Sequence, residues 1–282
     1  MYNLTGKVAI VTGAGRHRGL GEAMAKRLAK DGAKVLVHDI GVLKGDIAPA
    51  HGVGQKAELD QIVDEIKAAG GQAAGFTGDM LVEKDVAALV DFAVKTFGRL
   101  DILVNNAGIG YLFGPLVDMT QEHWDAVLGV NLRGCFFGIK HAAKQMIKQG
   151  QMGQGTGGRI ISIASQAAKS GFAQAAAYSA SKHGLVGLTR AAALELAPHK
   201  ITVNAICPNH VTTGLGAWQN DFMSKAQGKT VDKYLADMRA RIPLGRPGLV
   251  DDIAKACAFL CSDQADYITA EAMNVSGGEE YH

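Results

Sequence analysis

"KVAIVTGAGRHRGLG", residues 7–21, decides the fold. Its first six residues are a short apolar run rich in valine and isoleucine. Glycines then crowd the chain, and a helix-period stretch follows directly over about 20–31. A buried strand that breaks into glycines and re-forms as a helix reads as the opening of a β–α–β unit.

The same alternation runs through the chain. "KVLVHD" (34–39), "QAAGFTGD" (72–79), "DILVNN" (101–106), "RIISIAS" (159–165), "ITVNAIC" (201–207) and "AMNVSGG" (272–278) read as six further strands. They are continuously apolar rather than alternating, as expected for a parallel sheet covered on both faces. Helical patterns separate them over about 20–31, 56–69, 83–97, 120–149 (two helices), 175–197 and 249–261. The expected class is α/β: a single doubly wound Rossmann-type parallel sheet of about seven strands with helices on both faces. One dinucleotide-binding and catalytic domain is expected to span 1–282. Residues 40–55, 149–158 and 208–248 break the rhythm as long connections, and the last is the expected substrate loop.

The composition sets outer bounds. The 282 residues are 48% hydrophobic and 20% charged, with a net charge of +2. No basic block invites nucleic acid or an anionic membrane. No apolar run is long enough for a secretory signal or a membrane span, so a cytoplasmic protein is expected. Cys135, Cys207, Cys257 and Cys261 form no CxxC pair and have no histidine at metal spacing. They read as reduced core thiols, and no metal site is expected.

At the first turn, Gly13, Gly15, Gly19 and Gly21 leave room for a pyrophosphate to approach the backbone. The helix N-terminus, with Leu20 at its start, adds free N–H groups and the positive end of a dipole. Asp39 ends the second strand, eighteen residues after Gly21. A carboxylate there accepts hydrogen bonds from the adenosine ribose hydroxyls and repels a 2′-phosphate, which favours NAD over NADP. Arg18 is the opposing feature, since its guanidinium would welcome that phosphate. Asp79, with Met80 after it, and "NNAG" (105–108), with Asn106, Ala107 and Gly108, stand at further carboxyl ends of strands, where open α/β sheets bind ligands. A cap or a turn would explain Asp79, Asn105 and Asn106 as well.

"YSASK" (178–182) puts Tyr178 and Lys182 one helical turn apart, on one face. An ammonium beside a phenol favours the phenolate and suits it to proton transfer. Ser165, thirteen residues upstream, ends a strand and offers a hydroxyl to a carbonyl oxygen.

The glycine loop, "NNAG", "ISIAS", "YSASK" and "ITVNAICP" together resemble the short-chain dehydrogenase/reductase family over essentially the whole chain. The resemblance implies reversible hydride transfer between a nicotinamide and an alcohol or carbonyl. It implies that Tyr178 is the acid/base, that Ser165 polarises the substrate oxygen, and that Lys182 also holds the nicotinamide ribose. Asn131, in "GVNLRG", matches the position that organises a relay water. The segment Pro208, Asn209, Val211 and Thr213 is implied to flank the nicotinamide. Two departures stand out. The glycine loop is longer than the family's TGxxxGxG, and Asn209 follows Pro208 where the family commonly has glycine. The family also implies dimers or tetramers built on the helices at about 132–149 and 175–197, and a homotetramer is expected.

Gln166, Asn209, His210, Gln219 and Asn220 supply neutral hydrogen-bonding groups near the expected mouth. They suit a small polyol, sugar or ketol better than a phosphate, which would want several arginines. The long substrate loop and the C-terminal pattern resemble the polyol, sugar and acetoin dehydrogenase branches. The 40–55 loop keeps a 3-oxoacyl or 3-hydroxyacyl thioester as the alternative. A non-catalytic NAD-binding regulator is the remaining reading. Trp218, Phe222 and Met223 form either a small apolar lid or the packing of the loop onto the body. Five histidines, including His51 and His141, show no partner pattern.

Overall fold

A computed structural model of the chain describes residues 2–42, 53–153, 155 and 157–282. Seven strands form one parallel sheet: β1 (Val8–Val11), β2 (Lys34–Asp39), β3 (Gln72–Thr77), β4 (Ile102–Asn105), β5 (Gly158–Ile163), β6 (Ile201–Pro208) and β7 (Ala272–Val275). Their order is β3-β2-β1-β4-β5-β6-β7, and every pairing is parallel. Among the described residues the helices are α1 (Leu20–Lys30), α2 (Lys56–Ala68), α3 (Glu83–Phe97), α4 (Gln121–Leu128), α5 (Cys135–Gln151), α6 (Ala176–Leu196), α7 (Gly214–Ala226), α8 (Val231–Arg241) and α9 (Val250–Cys261).

The continuous apolar strands are explained by the two faces. Ala9, Val11, Val35 and Val37 pack with Met24 and Leu28 of α1, Ile62 of α2 and Ile253 of α9. Ile10, Leu36 and Leu103 point the other way, onto Leu89 of α3, Ile139 of α5 and Ala193 of α6. Side chains alternate along each strand, but both faces are covered, so apolar residues dominate throughout and the few polar ones, such as His38 and Asn204, are themselves buried. All four cysteines are free and buried, and the Cys257 and Cys261 sulfurs on α9 are 4.0 Å apart.

Three regions depart from expectation. The 208–248 connection contains α7 and α8 rather than loop alone. α5 runs through Gln151, so the glycine- and glutamine-rich connection begins later than its composition suggested. Between α4 and α5, Gly129–Gly134 forms a π-helical turn that widens the helix by one residue per turn at Asn131. Most of the 40–55 connection, including His51, lies outside the described residues.

Strand order reverses direction between β1 and β4, which is where a doubly wound sheet opens a crevice at its carboxyl edge. The two loops at that point are tied together. Thr12 Oγ1 accepts the N–H groups of Asn106 and Ala107 at 3.0 and 3.1 Å. Asn106 Nδ2 donates to the Thr12 and Gly13 carbonyls at 2.9 and 2.8 Å. The glycine loop and "NNAG" are therefore one rigid rim.

His38 of β2 is buried against Phe76, and its Nε2 lies 3.1 Å from the Gly78 carbonyl. Burial pushes its pKa down from 6.5 to about 4. Above the ordinary value the ring is neutral in the folded and unfolded chain alike. Below it the unfolded chain takes up a proton that the folded chain refuses until about pH 4, so stability falls through that window. The expected loss is about 3 kcal/mol between neutral pH and pH ~4. Urea melts at the two pH values measure it. His38→Gln, which keeps an amide donor and does not titrate, should show a clearly shallower acid dependence; an unchanged one would place the acid sensitivity elsewhere.

Candidate active site

One cavity of about 700 Å³ opens at the carboxyl edge of the sheet. This volume suits a small-molecule site. At one end it is walled by Gly13, Arg16, Gly19, Leu20, Asp39 and Asp79, and in the middle by Asn106, Ala107, Gly108, Ser165, Tyr178 and Lys182. The far end is closed by Pro208–Val211, by α7 and α8, and by Glu279.

The glycine loop is built for close approach. Gly13 has φ +63°, and a Cβ there would stand 2.7 Å from the Ala107 Cα. A Cβ on Gly15 would stand 2.7 Å from the Asp39 Cβ, and one on Gly21 would stand 2.4 Å from the Gly13 carbonyl oxygen. Gly15 and Gly21 thus serve the packing of the loop and do not line the cavity themselves. Asp39 Oδ2 accepts the Gly15 N–H at 2.9 Å, and Oδ1 accepts the Ile40 N–H at 2.8 Å. Burial raises the Asp39 pKa, against the pull of those two N–H groups and the Arg16 charge. Met80 is buried on the same wall, and Asp79 Oδ1 accepts the Leu81 N–H at 2.9 Å.

The longer loop places its arginines differently from the expectation. Five residues, Ala14–Arg18, separate Gly13 from Gly19. The added length bends outward: Arg18 takes φ +59°, and its side chain does not line the cavity. Arg16 lines it instead and lies over Gly214 at the start of α7, with a guanidinium nitrogen 3.4 Å from where a Cβ would stand. His17 anchors the bend to α2. Its N–H donates to Glu58 Oε1 at 2.7 Å, and its ring lies 3.1 Å from both Glu58 and Glu65. Partial burial works against a charged His17, but its hydrogen bonds to Glu65 and Glu58 outweigh this and raise its pKa. His17, Glu22 and Glu65 are spaced like metal ligands, but Lys26 Nζ sits 2.6 Å from both glutamates and takes a cation's place.

The residues to which the resemblance assigns proton transfer come together on α6 and the loops beside it. Tyr178 and Lys182 both line the cavity, and Lys182 Nζ is 5.6 Å from the phenol ring centroid. The buried Lys182 donates to the Ile163 carbonyl at 2.8 Å. Ser165 follows β5 and lines the same wall as Gln166, with its Oγ accepting the Ala167 N–H at 3.1 Å. Asn131 is fully buried behind the wall. Its Oδ1 accepts the Ile109 N–H at 2.7 Å, and its Nδ2 donates to the Ile109 carbonyl and Ser181 Oγ. The amide therefore holds the loop after β4 against α6.

Three fittings complete this end of the wall. Phe113 lies edge-on to Tyr178 at 5.8 Å and contacts Trp218 and Phe222, which stack on each other at 5.4 Å. Trp218 and Phe222 thus pack α7 onto the loop after β4, while Met223 lines the cavity. Gln219 Nε2 donates to the Gly110 carbonyl at 2.9 Å, and Asn220 lies off the wall. Finally, Asn209 Nδ2 donates to the Ser276 carbonyl and to Glu279 Oε2, both at 2.8 Å. Arg241, Tyr234 and Glu279 carry no motif, and only the fold brings them to the cavity.

The family model described as Enoyl-(Acyl carrier protein) reductase matches residues 13–280. The chain belongs to the short-chain dehydrogenase/reductase family. It is 35% identical over 277 residues to an L-2,3-butanediol dehydrogenase of Corynebacterium glutamicum, covering 98% of this chain and 99% of that one. It is 36% identical over 272 residues to a 3-oxoacyl-(acyl-carrier-protein) reductase FabG of Staphylococcus aureus, covering 96% and 97%. Among solved structures, an actinorhodin polyketide ketoreductase variant with NADPH superposes with a TM-score of 0.86 at 36% identity, covering 98% of each chain. Family membership makes the chain an oxidoreductase with a Rossmann-type nicotinamide site. No helix among the described residues is long and apolar enough to cross a membrane.

Proposed function

We propose that this chain transfers a hydride reversibly between NAD and a secondary alcohol or ketone, the substrate being a small polyol, sugar or ketol. The observation that carries the reading is the shared wall: Ser165, Tyr178 and Lys182 line the same cavity as the glycine cradle and Asp39. The cradle fits a dinucleotide, because Gly13 and Gly19 line the cavity and carry no side chain of their own. Asp39, Asp79 and Met80 would hold the adenosine end, with Asn106–Gly108, Lys182, Pro208, Val211 and Thr213 along the nicotinamide end, while the Asn209 amide turns to Ser276 and Glu279.

When bound, the nicotinamide gives or takes the hydride. The protein's own part is to hold the substrate oxygen and move its proton. Ser165 Oγ donates to that oxygen as charge develops on it. Tyr178 takes the hydroxyl proton in oxidation and returns it in reduction, and the Lys182 ammonium favours the phenolate. Asn131 acts by position: its amide fixes Ile109 and Ser181 and so holds the loop after β4 against the helix that carries Tyr178. Oxidation is thus served by the deprotonated phenol and reduction by the protonated one.

NAD is favoured because Asp39, buried and bonded to the glycine loop, leaves no place for a second negative charge beside it. Spectrophotometric assay of polyols, sugars, diketones, secondary alcohols and acyl thioesters with both dinucleotides tests the reading. NAD should give the higher kcat/KM, and Asp39→Ala should narrow the difference by about ten-fold or more. A wild-type preference for NADP would overturn the carboxylate argument. The thioester reading, as a 3-oxoacyl reductase or 3-hydroxyacyl dehydrogenase, draws support from the apolar wall of Phe113, Phe172, Leu215 and Met223. It prevails if thioesters outrun every polyol. The intact set of proton-handling residues speaks against a regulator that only binds NAD.

We also infer a homotetramer. Leu194 of α6 is 74% exposed and Phe136 of α5 is 43% exposed, more apolar surface than these helices need in isolation. Light scattering should return four times 29.5 kDa, and a monomer mass would remove the claim.

A further inference from the structure

We propose that Glu279, Arg241, His210 and Tyr234 form a second recognition point at the far end of the substrate cavity, one that binds the distal hydroxyl groups of a polyol or sugar. This deepens the polyol reading above and rests on it for the substrate class.

All four residues line the cavity. They come from three separate places: the end of β6, helix α8, and the segment beyond β7. Asn209 is what holds them in register. Its Nδ2 reaches across to the Ser276 carbonyl and fixes Glu279 Oε2 at 2.8 Å, while Arg241 Nε lies 3.2 Å from Glu279 Oε1. Each carboxylate oxygen thus carries one donor and keeps acceptor capacity. Arg241 has only its Nε engaged among the described residues, which leaves both terminal amino groups as donors. The Tyr234 hydroxyl and the His210 ring make no hydrogen bond among the described residues, although Tyr234 is only 4% exposed.

The character of this set selects the ligand. Burial lowers the His210 pKa despite the nearby Glu279 charge, which favours the neutral ring with its one donor and one acceptor. Glu279 and Arg241 cancel in charge. A phosphate or carboxylate placed here would meet Glu279. The alkyl chain of a thioester would strip water from four polar groups and bond none of them. A hydroxyl both donates and accepts, so vicinal hydroxyls match the mixture. Asn209, the residue that departs from the family's usual glycine, is the positioning residue, because it sets the carboxylate.

The test compares ribitol with butan-2-ol as substrates for wild type, Glu279→Gln, Tyr234→Phe and Asn209→Ala, each checked for an unchanged melting temperature. Ribitol binding is measured beside it by calorimetry with NADH or NADPH present. Wild type should favour ribitol. Glu279→Gln should raise its KM by about ten-fold with kcat less affected, and should change kcat/KM for butan-2-ol much less. Asn209→Ala should reproduce part of that loss. Equal losses on both substrates would make these residues structural and overturn the proposal. So would a wild type that neither oxidises nor binds ribitol, or that turns over thioesters alone. If ribitol binds, and binds more weakly to Glu279→Gln, yet no alcohol is oxidised, the recognition point stands and the hydride-transfer reading falls.

Discussion

Tyr178→Phe is expected to lower turnover by about a thousand-fold while cofactor affinity stays within about two-fold. The substitution removes one oxygen and keeps the ring. The edge-on contact with Phe113 and the aromatic packing beyond it therefore survive. Lys182 remains bonded to the Ile163 carbonyl, so the cofactor side of the cavity is undisturbed. What disappears is the group that exchanges a proton with the substrate oxygen. The Lys182 ammonium beside it is held by the Ile163 carbonyl, and the Asn131 amide is committed to Ile109 and Ser181. Rapid-mixing assays with fluorescence titration of NADH measure both quantities. Near-normal turnover in this variant would move the acid/base role to another residue.

Lys182→Ala should be the more damaging change in kind, with kcat/KM down by about a thousand-fold and dinucleotide affinity down by about ten-fold. A buried ammonium 5.6 Å from the phenol ring is the main positive charge available to its phenolate. Removing it takes away that field and the donor to the Ile163 carbonyl at 2.8 Å together. Lys182→Met keeps much of the volume and none of the charge. It should match Lys182→Ala in rate while melting at a higher temperature. If Lys182→Met retained wild-type cofactor affinity, the ribose role would be excluded.

The strands and the first helices were legible because parallel strands buried on both faces are predominantly apolar, and because Gly13, Gly15 and Gly21 answer to close contacts that leave no room for a Cβ. Tyr178, Lys182 and Ser165 were legible for a similar reason. Two lie one turn apart on a helix, and the third ends a strand. The π-helical turn at Asn131 was not legible, since one extra residue per turn leaves the apolar pattern of α4 and α5 nearly intact. Nor was the exchange of Arg18 for Arg16, which follows from how His17 pins the longer loop to Glu58 and Glu65. Glu279 and Arg241 are 38 positions apart, with α9 and β7 between them. Only the folded sheet edge makes them neighbours.

The stack of Trp218 on Phe222 also turns the mouth into an optical probe. The chain has two tryptophans, and the other, Trp124 on α4, is 37% exposed. Trp218 touches Tyr111 and Phe113, and Phe113 rests on Tyr178. A ligand that pushes on Phe113 therefore disturbs the indole directly. In a Trp124→Phe background the emission of a single fluorophore follows events at the reacting centre, and so reports ligand entry for molecules that are never oxidised or reduced.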